Sequence, residues 1–247
     1  MYDKNFRQLL SGYYYPVTHR YGFLQAPLDD VVAEHWYWKS TNPYLRTRLD
    51  YYSKPVFFEG SLRDGLDMLN PIGYEQTLFV ETKSNWTAIF ESGGEVHLNY
   101  PTLNLGCQGL GITLIENTYN DLDNTGEHGF VEFNLLRGIN RKSNSDGQIR
   151  HIYVAKSDDR WVFASEGAPL SFEKTENYSK KRIKDRFTYD MLIEYTGFLG
   201  LQIVDEDFYG PRMAFAGYRL KTPGKGYDKD TYQSYHQERG LKYGREY

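Results

Sequence analysis

The sequence predicts an α+β domain in which a mainly antiparallel sheet is flanked by three or four helices. Segments with helical periodicity alternate with groups of strand-like segments, an order typical of this class. The second half of the chain holds several strand-like segments in succession, separated by short turns. With 247 residues, of which 40% are hydrophobic, the chain is long enough to bury a sizeable core.

Helical spacing of apolar residues and typical end signals define the predicted helices. Pro27 suits a first helical turn, and Asp29 and Asp30 follow where the helix dipole favours negative charge. Asn42-Pro43 ends that helix. Ser61 can cap the next one. Helices are predicted over residues 3–10, 27–41, 62–69, 173–200 (with Thr188 capping its last part) and 230–239.

Alternating polar and apolar residues define the predicted strands. In a hairpin over residues 77–91, Trp86, Ala88 and Phe90 alternate and are expected to share one buried face, whereas Thr87 and Ile89 point the other way. Strands are predicted over residues 45–52, 76–81, 85–91, 111–117, 129–137, 149–155, 160–165 and 202–210.

The predicted strands and helices favour one domain over residues 1–220, followed by a polar tail over 221–247. No Ser/Gly/Pro-rich linker separates two units, although a division into two lobes near residues 93–106 stays open. The tail is rich in Gly, Lys, Asp and Tyr, so it cannot build a core of its own. Its short helix would need the main body to hold it.

Composition bounds the compartment and the partners. The net charge of −4 provides no global basic field, so direct binding to nucleic acid is not expected. The single cysteine, Cys107, excludes an internal disulfide and a thiol-based metal cluster. The first residues lack a signal-peptide pattern, and no apolar run is long enough to span a membrane. A cytoplasmic protein is therefore expected.

No residue pattern identifies a catalytic site, a cofactor or a metal centre. The glycines of residues 106–111 lack the ending of a phosphate loop, and the six histidines lack metal-ligand spacing. His35 is expected to be a packed histidine on its helix. The basic run 180–186 could contact phosphates, although a solvated helix face is the usual origin of such a run.

A polar loop is the most site-like alternative. Asp121, Asp123 and Glu127 surround His128, and these carboxylates could raise the pKa of the histidine or help to hold a cation. An enzyme of the hydrolase class that uses residues 121–128 is therefore one possible function. A solvated loop is the structural alternative.

Several segments in a fixed order resemble a bacterial protein family. They are YGFLQAPLDDVV, GSLRDGLDMLNP, LFVETKSNWTAIFESG, GCQGLGI, RWVFASEGAPLSFEK and DRFTYDMLIEYTGFLGL, within residues 21–209. This order is similar to that of cytoplasmic proteins associated with immunity to toxins of contact-dependent growth inhibition and related polymorphic toxin systems. The resemblance implies a non-enzymatic binder that blocks the active site of a cognate toxin, such as a nuclease. It brings no catalytic residues.

A toxin that cuts nucleic acid presents a basic groove, which clustered carboxylates could steer towards the inhibitor. Asp205, Glu206 and Asp207 would supply the charge, and Phe208 and Tyr209 would anchor the partner. By the same logic, a second predicted contact consists of Asp121, Asp123 and Glu127. The alternative for the first segment is a strand end whose Phe208 faces the core. The oligomeric state is not predicted.

Overall fold

A computed structural model describes most of the chain. The described residues are 9–15, 17–41, 49–52, 54–70, 76–92, 110–117, 130–137, 148–157, 160–220 and 232–234. The segment 93–106, where the sequence left a lobe boundary open, lies outside them.

Within these ranges, ten strands form one sheet in which every observed pairing is antiparallel. The order is β2-β10-β4-β5-β1-β6-β7-β8-β9, and β3 also pairs with β10. The predicted α+β class is therefore confirmed. The strands are β1 Arg20–Leu24, β2 Leu49–Tyr52, β3 Val56–Glu59, β4 Gln76–Thr82, β5 Thr87–Glu91, β6 Leu110–Asn117, β7 Phe130–Arg137, β8 Gln148–Ser157, β9 Arg160–Glu166 and β10 Tyr209–Leu220.

Three α-helices and several short 3-10 helices accompany the sheet in the described part of the chain, and residues 232–234 are helical as well. The α-helices are α1 Leu28–Thr41, α2 Leu62–Asp67 and α3 Tyr189–Phe198. The 3-10 helices are Leu9–Gly12, Val17–His19, Thr175–Ser179, Ile183–Asp185 and Glu206–Phe208.

Local capping starts α2 and α3 where the sequence predicts. The Ser61 backbone N–H donates to Asp64 Oδ2 at 2.8 Å, and the Asp64 N–H donates to Ser61 Oγ at 3.2 Å, forming a capping box. Thr188 Oγ1 accepts from the N–H of Met191 at 3.4 Å. Gly65 lets α2 lie directly on the sheet, because a Cβ atom there would sit 2.7 Å from Met213 Sδ.

The long helix predicted over 173–200 is wrong in its first half. Residues 175–179 and 183–185 are 3-10 turns, and the α-helix begins at Tyr189. Tertiary contacts override helical propensity here, since Glu173 and Tyr178 are both drawn into one buried polar network. The basic run 180–186 is thus an irregular segment rather than a helix face.

The two faces of the sheet are covered unequally. The larger core lies on the face that packs against α2, α3 and the 3-10 turns, and it includes Trp86, Ala88 and Phe90. The other face of the hairpin is also buried, because α1 packs there over Phe79 and Ile89. The predicted hairpin is therefore confirmed, with apolar cover on both sides.

The sheet links the two halves of the chain. β1 pairs with β5 on one side and with β6 on the other, so strands from before and after residues 93–106 share one sheet. In the described part of the polar tail, residues 232–234, Tyr232 belongs to the core: it is 1% exposed and donates its hydroxyl to the Leu66 carbonyl at 3.0 Å. Its ring meets that of Tyr14 edge-on at 5.1 Å.

Candidate functional site

The edge of the sheet formed by β3 exposes apolar side chains. Val56 is 57% exposed and Phe57 is 44% exposed. Within the described residues, β3 pairs with β10 alone. Such an edge presents unpaired backbone groups beside apolar surface, a combination that proteins usually protect. It is therefore a candidate contact for another protein.

An ion pair borders the exposed ring of Phe57. The Arg212 guanidinium lies 5.1 Å from the centre of that ring. It also donates two hydrogen bonds of 2.7 Å to the carboxylate of Asp29 at the start of α1. Hydrogen bonding to Arg212 is the main cause of a lowered pKa for the Asp29 carboxyl group. The guanidinium is thereby held in place over one side of the ring.

The carboxylates predicted for partner binding lie near the end of β3. The Gly60 N–H donates to the Pro211 carbonyl at 3.0 Å, which joins the residue after β3 to the start of β10. Asp205 and Asp207 are exposed in the turn that precedes β10. Glu206 instead pairs with Arg63, at 2.8 Å between Oε1 and Nε, so part of its charge is neutralised.

The two aromatic residues predicted as anchors belong to the core. Phe208 is 2% exposed and Tyr209 is 6% exposed. The Tyr209 hydroxyl donates to the Ile203 carbonyl at 2.8 Å, and burial raises its pKa well above the ordinary value. The predicted strand 202–210 also begins later, at Tyr209, because Asp205 accepts the N–H of Asp207 and forms a turn. The structure thus matches the alternative interpretation, a segment whose Phe208 faces the core.

The second predicted contact lies outside the described residues. Asp121, Asp123, Glu127 and His128 fall there, as does Cys107. The contact formed by these carboxylates and the hydrolase alternative both stay predictions. His35, by contrast, is fully buried beneath the sheet, 4.8 Å from the ring of Phe79, and burial lowers its pKa well below the ordinary value. The expectation of a packed histidine is confirmed.

A buried ion pair that sequence reasoning missed lies under β8. The side chains of Arg150 and Glu173 are both 0% exposed, with Nη2 and Oε2 2.7 Å apart. Arg150 also donates to the carbonyls of Glu166 and Gly167 and to Ser165 Oγ, so all five of its N–H groups have acceptors. A network so fully satisfied favours a structural role.

The carboxylate side of this pair is equally satisfied. Glu173 accepts from the N–H of Leu170 at 2.9 Å and from the hydroxyl of Tyr178 at 2.7 Å. Burial by itself would raise the pKa of Glu173, but these hydrogen bonds and the one from Arg150 outweigh it and lower that pKa. Glu173 therefore stays ionised in the core.

A second polar cluster lies on the opposite face of the same strands. His151 Nε2 is 3.0 Å from Glu132 Oε1, and His151 Nδ1 is 3.8 Å from Glu166 Oε2. The hydrogen bond to Glu132 is the main cause of a raised pKa for His151, and burial opposes it. Sequence reasoning missed this cluster too. The signal was present as charged residues within alternating strands, but the strand order that joins them was not readable.

The chemistry of this cluster is limited by its geometry. Both ring nitrogens of His151 face carboxylates, so the imidazole is arranged to hold a proton rather than to abstract one from a substrate. Among the described residues, no three His, Cys, Asp or Glu side chains converge to hold a metal ion. No helix in the described ranges is long and apolar enough to cross a membrane.

Comparison with known proteins adds no family assignment to this geometry. No protein-family model, curated protein or solved structure matches the chain. The resemblance to immunity proteins therefore stays a prediction, and what the molecule does must be argued from its own surfaces.

Proposed function

We propose that the chain is a non-enzymatic immunity protein that binds a cognate toxin of the nuclease class and blocks its active site. The observation that carries the proposal is the β3 edge, which we define as Val56, Phe57, Glu59, Asp205 and Asp207. Exposed apolar side chains and carboxylates occur together on it. The order of sequence segments that resembles the immunity family points to the same function.

Apolar exposure supports a protein partner. Val56 and Phe57 are consecutive residues of one edge strand, so their side chains point to opposite faces of the sheet, and they are 57% and 44% exposed. Burying them against a partner would remove apolar area from water, which is favourable at ~25 cal/mol per Å². Side chains at the centre of an interface contribute most of its affinity.

Charge supports a basic partner. Glu59, Asp205 and Asp207 are all exposed, Glu59 on β3 and the two aspartates in the turn before β10. Two nearby cations, Arg63 and Arg212, are each paired with a carboxylate of this chain. Lys54 and Lys83 are exposed in the same region and offset part of the negative charge. The β3 edge thus offers negative charge to a nuclease surface that has evolved to bind phosphates, and this charge accelerates association.

The test requires a neighbouring gene that encodes a secreted toxin domain, and it uses that domain as the partner. Val56→Lys with Phe57→Lys should abolish inhibition, because two cations would replace the apolar contact. Asp205→Lys with Asp207→Lys should slow association about tenfold or more at low salt and weaken its salt dependence. Association and dissociation rates are measured by surface plasmon resonance at two salt concentrations.

A matched control reverses two exposed carboxylates elsewhere. Glu176→Lys with Asp190→Lys changes the net charge by the same amount on another side of the molecule, and it should leave the association rate close to that of the unaltered protein. If the unaltered chain forms no complex with that toxin, the proposed function is wrong. If the complex forms and both β3-edge variants behave like the control, the surface is wrong.

A further inference from the structure

The proposed function does not use the polar cluster on the open face of β7, β8 and β9. Asn134, His151 and Glu166 are direct partners across these three strands, so their side chains rise from one face. Glu132 lies two residues before Asn134 on the same face. We call these four residues the β7–β9 cluster.

One member of the cluster is an unsatisfied acceptor. Asn134 is 4% exposed, yet its Oδ1 atom has no hydrogen-bond partner in the described part of the chain. Leaving a buried acceptor unpaired costs free energy, and native proteins rarely do so without a reason. The atom is buried, so a donor from outside the chain satisfies it only when the neighbouring side chains move aside.

The charge of the cluster selects a cation. Glu132 and Glu166 outnumber the single imidazole, so the net charge is negative whether or not His151 is protonated. The Glu132 side chain is 12% exposed and that of Glu166 is 60% exposed, so the cluster runs from a buried end to an open one. Val162, four residues before Glu166 on the same face of β9, is 38% exposed.

The acceptor oxygens of Glu132, Asn134 and Glu166 lie apart from one another, and this arrangement favours a planar ligand with several donors. They lie on neighbouring strands about 4.8 Å apart, and the three titratable residues do not converge on a single metal ion. A guanidinium carries five N–H donors in a flat fork that can reach several acceptors at once. The ring of Tyr153, 5.1 Å from that of His151, offers an aromatic face beside them.

We propose that the β7–β9 cluster is a binding site for a guanidinium group. Glu132 and Glu166 supply the charge, and Asn134 Oδ1 accepts one N–H. This assignment is independent of the proposed immunity function, because it uses different strands and no toxin. The group could belong to an arginine side chain or to a small guanidino compound, and both present the same chemistry.

The experiment follows the His151 ring by NMR at pH 7 while a guanidinium probe is added to the full chain. The two probes are agmatine and the capped tripeptide acetyl-Gly-Arg-Gly-amide, and tetramethylammonium is the control cation because it has no N–H donor. Saturable shifts of the His151 ring signals with either guanidinium probe are expected. Tighter binding of the tripeptide would point to a protein partner, and tighter binding of agmatine to a small compound.

Substitutions identify the acceptors. Asn134→Leu should abolish saturable binding and raise Tm, because it replaces an unpaired buried amide by an apolar group of similar shape. Glu166→Gln, at a position whose side chain is 60% exposed, should weaken binding about tenfold. Asn85→Leu, in the exposed turn between β4 and β5, is the matched control and should bind normally.

Three results would overturn the assignment. They are the absence of saturation with either guanidinium probe, an equal response to tetramethylammonium, and unchanged binding by both Asn134→Leu and Glu166→Gln. A lower Tm for Asn134→Leu with no loss of affinity in Glu166→Gln would show that the cluster only supports the fold.

Discussion

Arg150 and His151 are neighbours on β8 and face opposite sides of the sheet, yet their surroundings differ in kind. Arg150 lies in the larger core, where each of its five N–H groups meets an acceptor. His151 lies on the more open face, between two carboxylates and beside the unpaired amide oxygen of Asn134. β8 therefore contributes to two polar clusters. We call the Arg150 cluster the closed network, because all of its donors have acceptors, and the His151 cluster the open cluster, because one acceptor in it is unpaired.

The difference shows how hydrogen-bond geometry separates structural polar groups from groups that can bind a ligand. A network in which every donor and acceptor is matched has no capacity left for a ligand, so its contribution is to the fold. A cluster with surplus negative charge and an unmatched acceptor retains that capacity. Counting satisfied hydrogen-bonding groups thus separates the two clusters where residue type does not.

The largest expected effect is at the closed network. Arg150→Met leaves the Glu173 carboxylate buried without its cation, and it should reduce the free energy of unfolding by about 3–5 kcal/mol. Chemical denaturation measured by circular dichroism checks this. The double variant Arg150→Met with Glu173→Leu should recover much of the loss, since both buried charges are then gone. A single variant as stable as the double would mean that the network does not exclude water as described.

An apolar residue in the same core provides the benchmark. Trp86 is 2% exposed, and its Nε1 donates to the Leu199 carbonyl at 3.1 Å. Trp86→Ala should cost about 3–5 kcal/mol through lost contacts and a residual cavity. Unchanged melting would contradict the hairpin as a core element. Comparing the loss of stability in Trp86→Ala with that in Arg150→Met would show whether the ionic network and the apolar packing contribute equally to the free energy of unfolding.

The open cluster should have a smaller and pH-dependent effect. Because folding raises the pKa of His151, its stabilising contribution is complete below the unfolded value near 6.5 and is lost as pH rises through the folded value. His151→Gln should therefore lower the free energy of unfolding by about 0.5–1 kcal/mol at pH 5.5 and by less at pH 9. Denaturant titrations at both pH values measure this. A loss that is equal at both would exclude the titration as its cause.

Features that depend on nearby residues were predictable from the sequence. The hairpin with Trp86 rests on periodicity, and the Ser61 and Thr188 caps rest on contacts within a few residues. The tail anchored by Tyr232 fits the prediction that it needs the main body.

Features that depend on distant contacts were not predictable. Glu173 meets Arg150 across 23 positions of the chain, and this contact displaces the first half of a helix that periodicity favours. The alternating pattern near Phe208 could not show which of its sides the core occupies. The β7–β9 cluster needs three strands in a register that residue type does not encode. Its four residues can be recognised as neighbours only when the strand pairing is known.

The position of β10 determines when the molecule can finish folding during synthesis. Residues 209–220 form the pairing partner of β2, β3 and β4, which are made much earlier. On the ribosome, the edges of these three strands that pair with β10 therefore stay open until residues 209–220 emerge. Long-range pairing of this kind folds slowly and leaves strands exposed to other chains. Nascent-chain chaperones would therefore have a long interval in which to engage this protein.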